Sequence, residues 1–240
     1  MRLLIIIPAY NEEGNILHTL GDLRKEFPQA DTLVINDCSK DSTLRILKEN
    51  KENYLDFPVN LGIGGAVQAG YLYAARNGYD IAVQFDGDGQ HRADCLEKLI
   101  QPLLDGKADM VVGSRFLPDS DQDGFQSSAT RRFGIKLLSG LIKLVTGKKI
   151  YDVTSGFRAV NRDLIEFYSE NYAQDFPEPE AIVMALKNGF RVAEAPVRMN
   201  ERVAGTSSIR ALSSVYYMIK VSLAILVAGV HMPRRKVKNG

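Results

Sequence analysis

The 240-residue sequence predicts an α/β fold in which a mostly parallel central sheet is covered by helices on both faces. Short, continuously apolar runs at residues 3–7 and 81–85 are typical of strands that are buried on both faces. These runs alternate with segments of helical length, as expected when helices connect parallel strands. Because ligands of such sheets bind at the carboxyl ends of the strands, we expect the functional residues at that edge.

Caps, glycines and apolar runs define the elements of the first half. Asn11 is a candidate N-cap for one helix, and Asp41 or Ser42 for a second. The glycine-rich residues 62–65 open a third. The predicted order is strand 3–7, helix 12–26, strand 32–36, a helix ending at Asn50, strand 54–57, helix 62–76, strand 81–85, helix 93–104 and strand 110–114.

The second half is less regular. The polar residues between Leu117 and Ala129 show no apolar periodicity, which predicts a loop. We then expect helix 131–145, an extended segment 151–160, another helix, an acidic turn at 175–180, a helix ending at Asn188 and strand 191–197. Since there is no internal repeat or low-complexity linker, residues 1–210 are predicted to form one domain.

Residues 211–240 differ in character from the rest. Residues 211–230 are largely apolar and predict an apolar or amphipathic C-terminal helix, followed by the basic residues 234–238. Its length would span a bilayer, but Lys220 lies in the middle, and a central charge costs about 2.5–3.5 kcal/mol on insertion scales. We therefore expect a helix at the membrane surface first, a buried or oligomer-forming helix second, and a true span third. The basic residues would favour anionic lipid by about 1 kcal/mol each.

Composition excludes some classes of function. A net charge of +1 without a long basic stripe argues against a nucleic-acid-binding protein. Cys38 and Cys95 lie in different segments without metal-binding spacing, as is typical of reduced cytosolic proteins. The apolar run near the start is too short for a signal peptide. We expect a cytoplasmic protein that is peripheral at the inner face of the cell membrane, associated with that surface or with a small membrane-protein partner, or a homo-oligomer.

The clearest chemical signal is the segment D-G-D-G-Q-H that begins at residue 86, directly after a predicted strand. Gly87 allows a sharp turn and a close approach to a ligand. Asp86 and Asp88 would then face one point, with the amide oxygen of Gln90 beside them. Such oxygen ligands suit Mg²⁺ or Mn²⁺, and a divalent cation is most useful where a diphosphate leaves. The simpler interpretation is a turn without a ligand.

Polar residues also follow the first two strands. Tyr10 could stack on a base or a sugar, and Glu12 and Asp37 could accept hydrogen bonds from a base or a ribose. Arginine's planar fork suits phosphate, although each arginine alone could be a surface ion-pair partner. The candidate phosphate-binding arginines are Arg115, Arg131, Arg132, Arg158 and Arg202.

The motifs, in this order, resemble family 2 glycosyltransferases, which have a GT-A fold with a Rossmann-like sheet. The matching segments are I-P-A-Y-N-E-E at 7–13, N-D-C-S-K-D-S-T at 36–43, N-L-G-I-G-G-A at 60–66, D-G-D-G-Q-H at 86–91, V-G-S-R-F at 112–116, S-G-F-R-A at 155–159 and R-V-A-G-T-S-S at 202–208. The resemblance is closest to polyprenyl-phosphate sugar synthases of the dolichyl-phosphate mannosyltransferase type. The chain departs from that branch at Ser208, where a lysine is usual. It also lacks tryptophan, so the Q-x-x-R-W box of hydroxyl-directed relatives is absent.

The resemblance implies an inverting, metal-dependent hexosyltransferase that uses a nucleotide-diphosphate-sugar donor. It implies a metal site at Asp86, Asp88 and Gln90, and catalytic roles for Asp88, for Arg115 and Arg131 at the acceptor phosphate, and for Arg202 at the donor diphosphate. It further implies nucleotide-sugar binding by Pro8, Ala9, Tyr10, Glu12, Asp37, Gly64, Asp86 and Gly87.

The acceptor has two possible chemistries. A polyprenyl phosphate (undecaprenyl or dolichyl), with a second pKa of about 6, is already an anion and needs cations rather than a base. A sugar hydroxyl of a growing glycan needs a general base. Glu178 could supply that base, together with Asp175 or Glu180, or these acids could only favour a helix N-terminus. A nucleotidyltransferase and a non-catalytic nucleotide-sugar-binding scaffold remain alternatives.

Overall fold

A computed structural model describes residues 1–117, 129–175, 177–200 and 211–231, without the side chains of 129–131, 211–217 and 231. The described strands are β1 (Leu3–Ala9), β2 (Asp31–Asn36), β3 (Tyr54–Asp56), β4 (Ile81–Gln84), β5 (Met110–Ser114), β6 (Arg158–Asn161) and β7 (Val192–Pro196). The described helices are α1 (Ile16–Glu26), α2 (Thr43–Glu49), α3 (Gly62–Arg76), α4 (Leu96–Leu104, preceded by a 3₁₀ turn at Ala93–Cys95), α5 (Ala129–Thr146), α6 (Arg162–Glu170), α7 (Pro177–Lys187) and α8 (Ala211–His231).

One sheet contains all seven described strands in the order β3-β2-β1-β4-β6-β5-β7. All of its pairings are parallel except those of β6, which runs antiparallel to both β4 and β5. The predicted α/β class with a mostly parallel sheet is therefore confirmed. The reversed strand β6 is the feature that the sequence did not indicate.

Helices cover both faces of the sheet because side chains alternate along each strand. On β1, Leu4 and Ile6 join one buried cluster, which also takes in residues of α3, α5, α6, α7 and α8. Leu3, Ile5 and Ile7 join a second cluster with residues of α1 and α4. The continuous apolar run thus supplies two cores at once, as predicted.

The start of α1 differs from the prediction. The helix begins at Ile16 rather than at residue 12, and Asn11 has a left-handed backbone with φ 59° instead of acting as its N-cap. The Glu12 backbone N–H donates to Thr43 Oγ1 at 2.9 Å, so the segment is tied to the start of α2. This long-range contact keeps Glu12 out of the helix and at the carboxyl edge of the sheet.

Two further predictions in the second half need correction. The acidic turn at 175–180 is largely helical, because Glu178 and Glu180 lie in the first turn of α7, where negative charge is favourable. The extended segment 151–160 becomes a strand only at Arg158. The loop predicted between Leu117 and Ala129, the segment 201–210 that carries Arg202 and Ser208, and the basic residues 234–238 lie outside the described residues.

The C-terminal helix α8 packs against α5 and α7 through the buried residues Val221 and Ile225. Within the described parts of the chain, no helix combines the length and the apolar character needed to cross a bilayer. The domain boundary at residue 210 and membrane association through 211–240 remain predictions.

Candidate active site

The carboxyl ends of β1, β2 and β4 lie side by side and bring the three predicted segments together. The Asp37 N–H donates to the Ala9 carbonyl at 2.9 Å. A Cβ atom placed on Gly87 would lie 3.3 Å from the Pro8 carbonyl oxygen, so the turn after β4 passes directly over the end of β1. The convergence expected for parallel strands is confirmed, and it defines one edge with Pro8, Ala9, Asp37 and Gly87 on it.

Asp37 has a structural task that the sequence did not reveal. Its carboxylate accepts hydrogen bonds from the backbone N–H groups of Leu61 (2.7 Å) and Gly62 (2.9 Å) at the start of α3. The residue therefore caps α3 from the end of β2, and its nucleotide-binding role remains a prediction. Gly64 is also constrained by packing, because a Cβ atom there would lie 2.2 Å from the Gln174 carbonyl oxygen.

Tyr10 and Glu12 border the same edge. Tyr10 is 46% exposed, so its ring is accessible for stacking. The Glu12 carboxylate accepts from the Asn15 amide at 2.9 Å. Both positions agree with the predicted nucleotide-binding segment, while the contact with a nucleotide remains a prediction.

The turn after β4 is held by Asp88 from within and by Asn200 from outside. Asp88 Oδ1 accepts the Gln90 N–H at 3.0 Å, and the Gln90 carbonyl accepts the Asn200 N–H at 2.9 Å. Asp88 is buried, whereas the Asp86 side chain is 35% exposed. The two carboxylates thus stand in one tight turn, and one of them faces solvent.

The oxygen atoms that this turn offers as metal ligands fit a divalent cation that also binds a phosphate group of the substrate. Within the described residues, no three His, Cys, Asp or Glu side chains are gathered into a group that could hold a metal ion. Mg²⁺, however, is commonly held by one or two carboxylates together with substrate phosphates. Gly156 leaves room for the Asp86 carboxylate, since a Cβ atom there would lie 2.9 Å from its Oδ2 atom. Two carboxylates and the Gln90 amide oxygen match this chemistry.

The predicted arginines do not form one exposed set. Arg115 is buried, and its guanidinium binds the fully buried Asp152 at 2.7 and 2.8 Å. Its predicted contact with an acceptor phosphate remains a prediction. The structure describes the backbone but not the side chain of Arg131, at the start of α5, and Arg202 lies outside the described residues.

Arg158 corrects the prediction of a phosphate-binding surface arginine. It is fully buried, and its guanidinium donates to the Ser155 carbonyl from Nε (3.1 Å) and Nη2 (2.5 Å) and to the Glu178 carbonyl from Nη1 (3.1 Å). Arg158 therefore ties the residues before β6 to the first turn of α7.

The Glu178 carboxyl lies within electrostatic reach of this site. Burial raises the pKa of Glu178; the Arg158 charge opposes this shift, and the Asp86 charge adds to it. Burial also lowers the pKa of His91 in the same turn as Asp86. The sequence did not identify His91, Asp152 or Gly156 as residues of this site. A signal existed for two of them, because His91 ends the D-G-D-G-Q-H motif and Gly156 lies in the S-G-F-R-A motif.

A mostly parallel sheet with paired carboxylates at its carboxyl edge is the arrangement of a GT-A glycosyltransferase, and solved structures bear out the fold. The crystal structure of glucosyl-3-phosphoglycerate synthase from Mycobacterium tuberculosis in complex with Mn²⁺, UDP-glucose and phosphoglyceric acid has a TM-score of 0.71. The two sequences are 19% identical over 98% of this chain and 81% of that chain.

Residues 4–168 match the sequence profile of the family described as "Glycosyl transferase family 2", and the chain belongs to this family. It is 30% identical to the polyprenol monophosphomannose synthase of Mycolicibacterium smegmatis, over 92% of this chain and 86% of the relative. It is 31% identical to the undecaprenyl-phosphate mannosyltransferase of Micrococcus luteus, over 87% and 88%. A UDP-N-acetylglucosamine–dolichyl-phosphate N-acetylglucosaminyltransferase from Methanococcus voltae is 32% identical, over 81% and 84%. The protein is a glycosyltransferase, which sets aside the nucleotidyltransferase and scaffold alternatives.

Proposed function

We propose that the protein transfers a sugar from a nucleoside-diphosphate sugar to a polyprenyl phosphate, with inversion at the anomeric carbon. The observation that carries this proposal is the similarity over more than four fifths of the chain to three relatives named for polyprenol, undecaprenyl-phosphate and dolichyl-phosphate substrates. These names specify different sugars, so the proposal is limited to the acceptor class and the reaction type.

Asp86, Asp88 and Gln90 would hold Mg²⁺ or Mn²⁺ on the donor side. The cation would supply positive charge to the departing diphosphate. The exposed Tyr10 ring would stack on the donor, and the backbone where Gly87 crosses Pro8 would shape the floor of the site.

The acceptor side needs no general base if the nucleophile is a phosphate oxygen, since that oxygen is already charged at neutral pH. Glu178 would then have only a structural role, because its backbone carbonyl accepts a hydrogen bond from Arg158. A hydroxyl acceptor is the second candidate function, and the raised pKa of Glu178 favours it, because a base is most effective when its pKa is near the working pH.

A membrane surface is the proposed location of the acceptor. The helix α5 exposes Phe133 (70%) and Leu144 (77%). The helix α8 runs beside it, because a Cβ atom on Gly134 would lie 3.1 Å from Met218 Sδ, and Gly229 lies directly against Val145. We call the exposed apolar side chains of both helices the apolar face; it comprises Phe133, Leu137, Leu144, Ile219, Leu223, Leu226, Val227 and Val230.

The charges around the apolar face match an anionic lipid surface. The sequence of α5 carries Arg131, Arg132, Lys136 and Lys143 and no acidic residue. Lys220, the central charge of α8, binds Asp175 at 2.7 Å. An apolar helix face with flanking cations is typical of helices that lie in the membrane interface, so we propose peripheral binding at the inner face of the cell membrane.

The direct test is to incubate the protein with Mn²⁺, a panel of nucleotide sugars and undecaprenyl phosphate, and to identify the glycolipid by mass. Undecaprenol, which lacks the phosphate, is the matched acceptor control. Asp88→Ala tests the metal site, and Asp22→Ala, at an exposed position of α1, controls for loss of a carboxylate. A glycolipid that forms from undecaprenyl phosphate but not from undecaprenol supports the proposal. Transfer to glycan hydroxyls without any lipid product would refute it.

A further inference from the structure

We propose that His91 is a positioning residue for Asp86, holding both its backbone and its carboxylate in place for the cation. The inference rests on the proposed function, because it assumes that Asp86 ligates a divalent metal ion. It concerns the one histidine of the D-G-D-G-Q-H turn, to which neither the motif nor the relatives' names give a role.

The two ring nitrogens of His91 face the same residue. Nδ1 accepts the backbone N–H of Asp86 at 2.9 Å. A nitrogen that accepts carries no proton, so a neutral ring bears its proton on Nε2. Nε2 lies 3.5 Å from Asp86 Oδ2, which is an electrostatic contact rather than a hydrogen bond. The close contact therefore fixes the backbone, and the longer one places the N–H edge of the ring beside the carboxylate while leaving its oxygens able to bind a cation.

The His91 ring is itself held by packing. Its side chain is 1% exposed. The ring stacks on Phe157 with centroids 4.7 Å apart and planes inclined by 17°, and it meets the edge of Phe85 at 5.3 Å. Because packing fixes the ring, the ring in turn holds the Asp86 atoms that it contacts.

Asp86 is confined from the other side by the backbone that carries Phe157. A Cβ atom on Gly156, the preceding residue, would lie 2.9 Å from Asp86 Oδ2 and 3.1 Å from Oδ1. The carboxylate thus sits between the Gly156 backbone and the His91 ring, with Gln84 Nε2 3.5 Å from Oδ1. Partners behind a metal ligand orient it, and their loss typically lowers metal affinity about 10–100-fold.

Three substitutions separate the contacts. His91→Asn keeps an acceptor close to the Nδ1 position, His91→Gln keeps a donor close to the Nε2 position, and His91→Phe keeps only the ring stack on Phe157. The matched control is His18→Phe, at an exposed position of α1. For each variant, Mn²⁺ affinity is measured by calorimetry or electron paramagnetic resonance with a saturating nucleoside diphosphate present and no acceptor, alongside the thermal midpoint.

We expect His91→Phe to weaken Mn²⁺ binding about 10–100-fold, His91→Asn to retain most of the affinity, and His91→Gln to fall between them. Nitrogen-15 NMR of the metal-free wild-type protein should show Nδ1 without a proton and Nε2 protonated, a readout that does not depend on any variant folding. The inference is overturned if His91→Phe binds Mn²⁺ like the wild type, if His91→Asn and His91→Phe lose affinity equally, or if the ring has the opposite tautomer. A wild-type protein that binds no Mn²⁺ would instead remove the proposed metal site, and this inference with it.

Discussion

At the residue scale, Asp86 and Asp88 stand in one turn but have different surroundings. Asp86 is partly exposed and contacts His91, whereas Asp88 is buried and accepts the Gln90 N–H. Asp88 therefore shapes the turn as well as carrying a charge, and a single alanine substitution would remove both contributions at once.

Replacing Asp88 by Asn and by Ala separates these contributions. Asn keeps an oxygen for the Gln90 N–H but loses the charge, so Asp88→Asn should reduce transfer about 100-fold or more with near wild-type stability. Asp88→Ala should lose the same activity and about 1 kcal/mol of unfolding free energy, the usual value of one hydrogen bond. Transfer rates and urea unfolding measure the two effects, and an active Asp88→Asn enzyme would contradict the metal role.

The pKa of Glu178 predicts a pH dependence of stability. Burial raises it above the ordinary value of 4.5, so the folded state disfavours the ionised form. Below pH 4.5 the carboxyl is protonated in both states and contributes nothing; as the pH rises through the folded-state pKa, the free energy of unfolding falls.

Glu178→Gln should therefore be more stable than the wild type at pH 7.5 and about equal to it at pH 4, as measured by chemical unfolding at both values. With a polyprenyl-phosphate acceptor its transfer rate should stay within about threefold of the wild-type rate, since no base is required. A rate loss of several hundredfold in a folded variant would instead support the hydroxyl acceptor.

At the element scale, local sequence patterns predicted correctly those strands and helices that depend on neighbouring residues alone. The apolar run of β1 predicted a strand and the glycines at the start of α3 predicted a helix, and both element types are correct. Burial on both faces and helix initiation depend on neighbouring residues, so the local sequence is enough to predict them. The start of α1 was wrong because Glu12 is held by Thr43, far along the chain. The reversal of β6, which buries Arg158 opposite Gln84, depends on strand pairing and has no local signal.

The apolar face of α5 and α8 predicts membrane binding that single substitutions weaken. Phe133→Asp or Leu223→Asp should reduce binding to phosphatidylglycerol vesicles about tenfold or more, since each removes an exposed apolar side chain and adds a repelled charge. Co-sedimentation measures this, with phosphatidylcholine vesicles as the neutral-lipid comparison. Leu17→Asp, on the exposed side of α1 across the sheet, is the matched control; if it impaired binding equally, the apolar face would not be the contact surface.

At the scale of the whole molecule, the site was predictable where strand ends determine it and not where distant elements meet. Asp86, Asp88 and Pro8 were placed correctly at one edge because parallel strands end together. The burial of Arg115 against Asp152 and the capping of α3 by Asp37 join residues that are distant in sequence. Such contacts assign structural tasks to residues whose type alone suggested ligand binding.

The carboxyl edge of the sheet and the apolar face would act on one acceptor molecule, whose phosphate reacts while its chain stays in the lipid. Leu223→Asp should therefore lose transfer to undecaprenyl phosphate in anionic vesicles but retain transfer to a short, water-soluble polyprenyl phosphate, because the proposed metal site at Asp86 and Asp88 is unchanged. Asp88→Asn should lose both reactions. Comparing the two acceptors at equal concentration separates recruitment from catalysis. Equal losses with both acceptors in Leu223→Asp would show that this helix supports the site itself rather than its contact with the membrane.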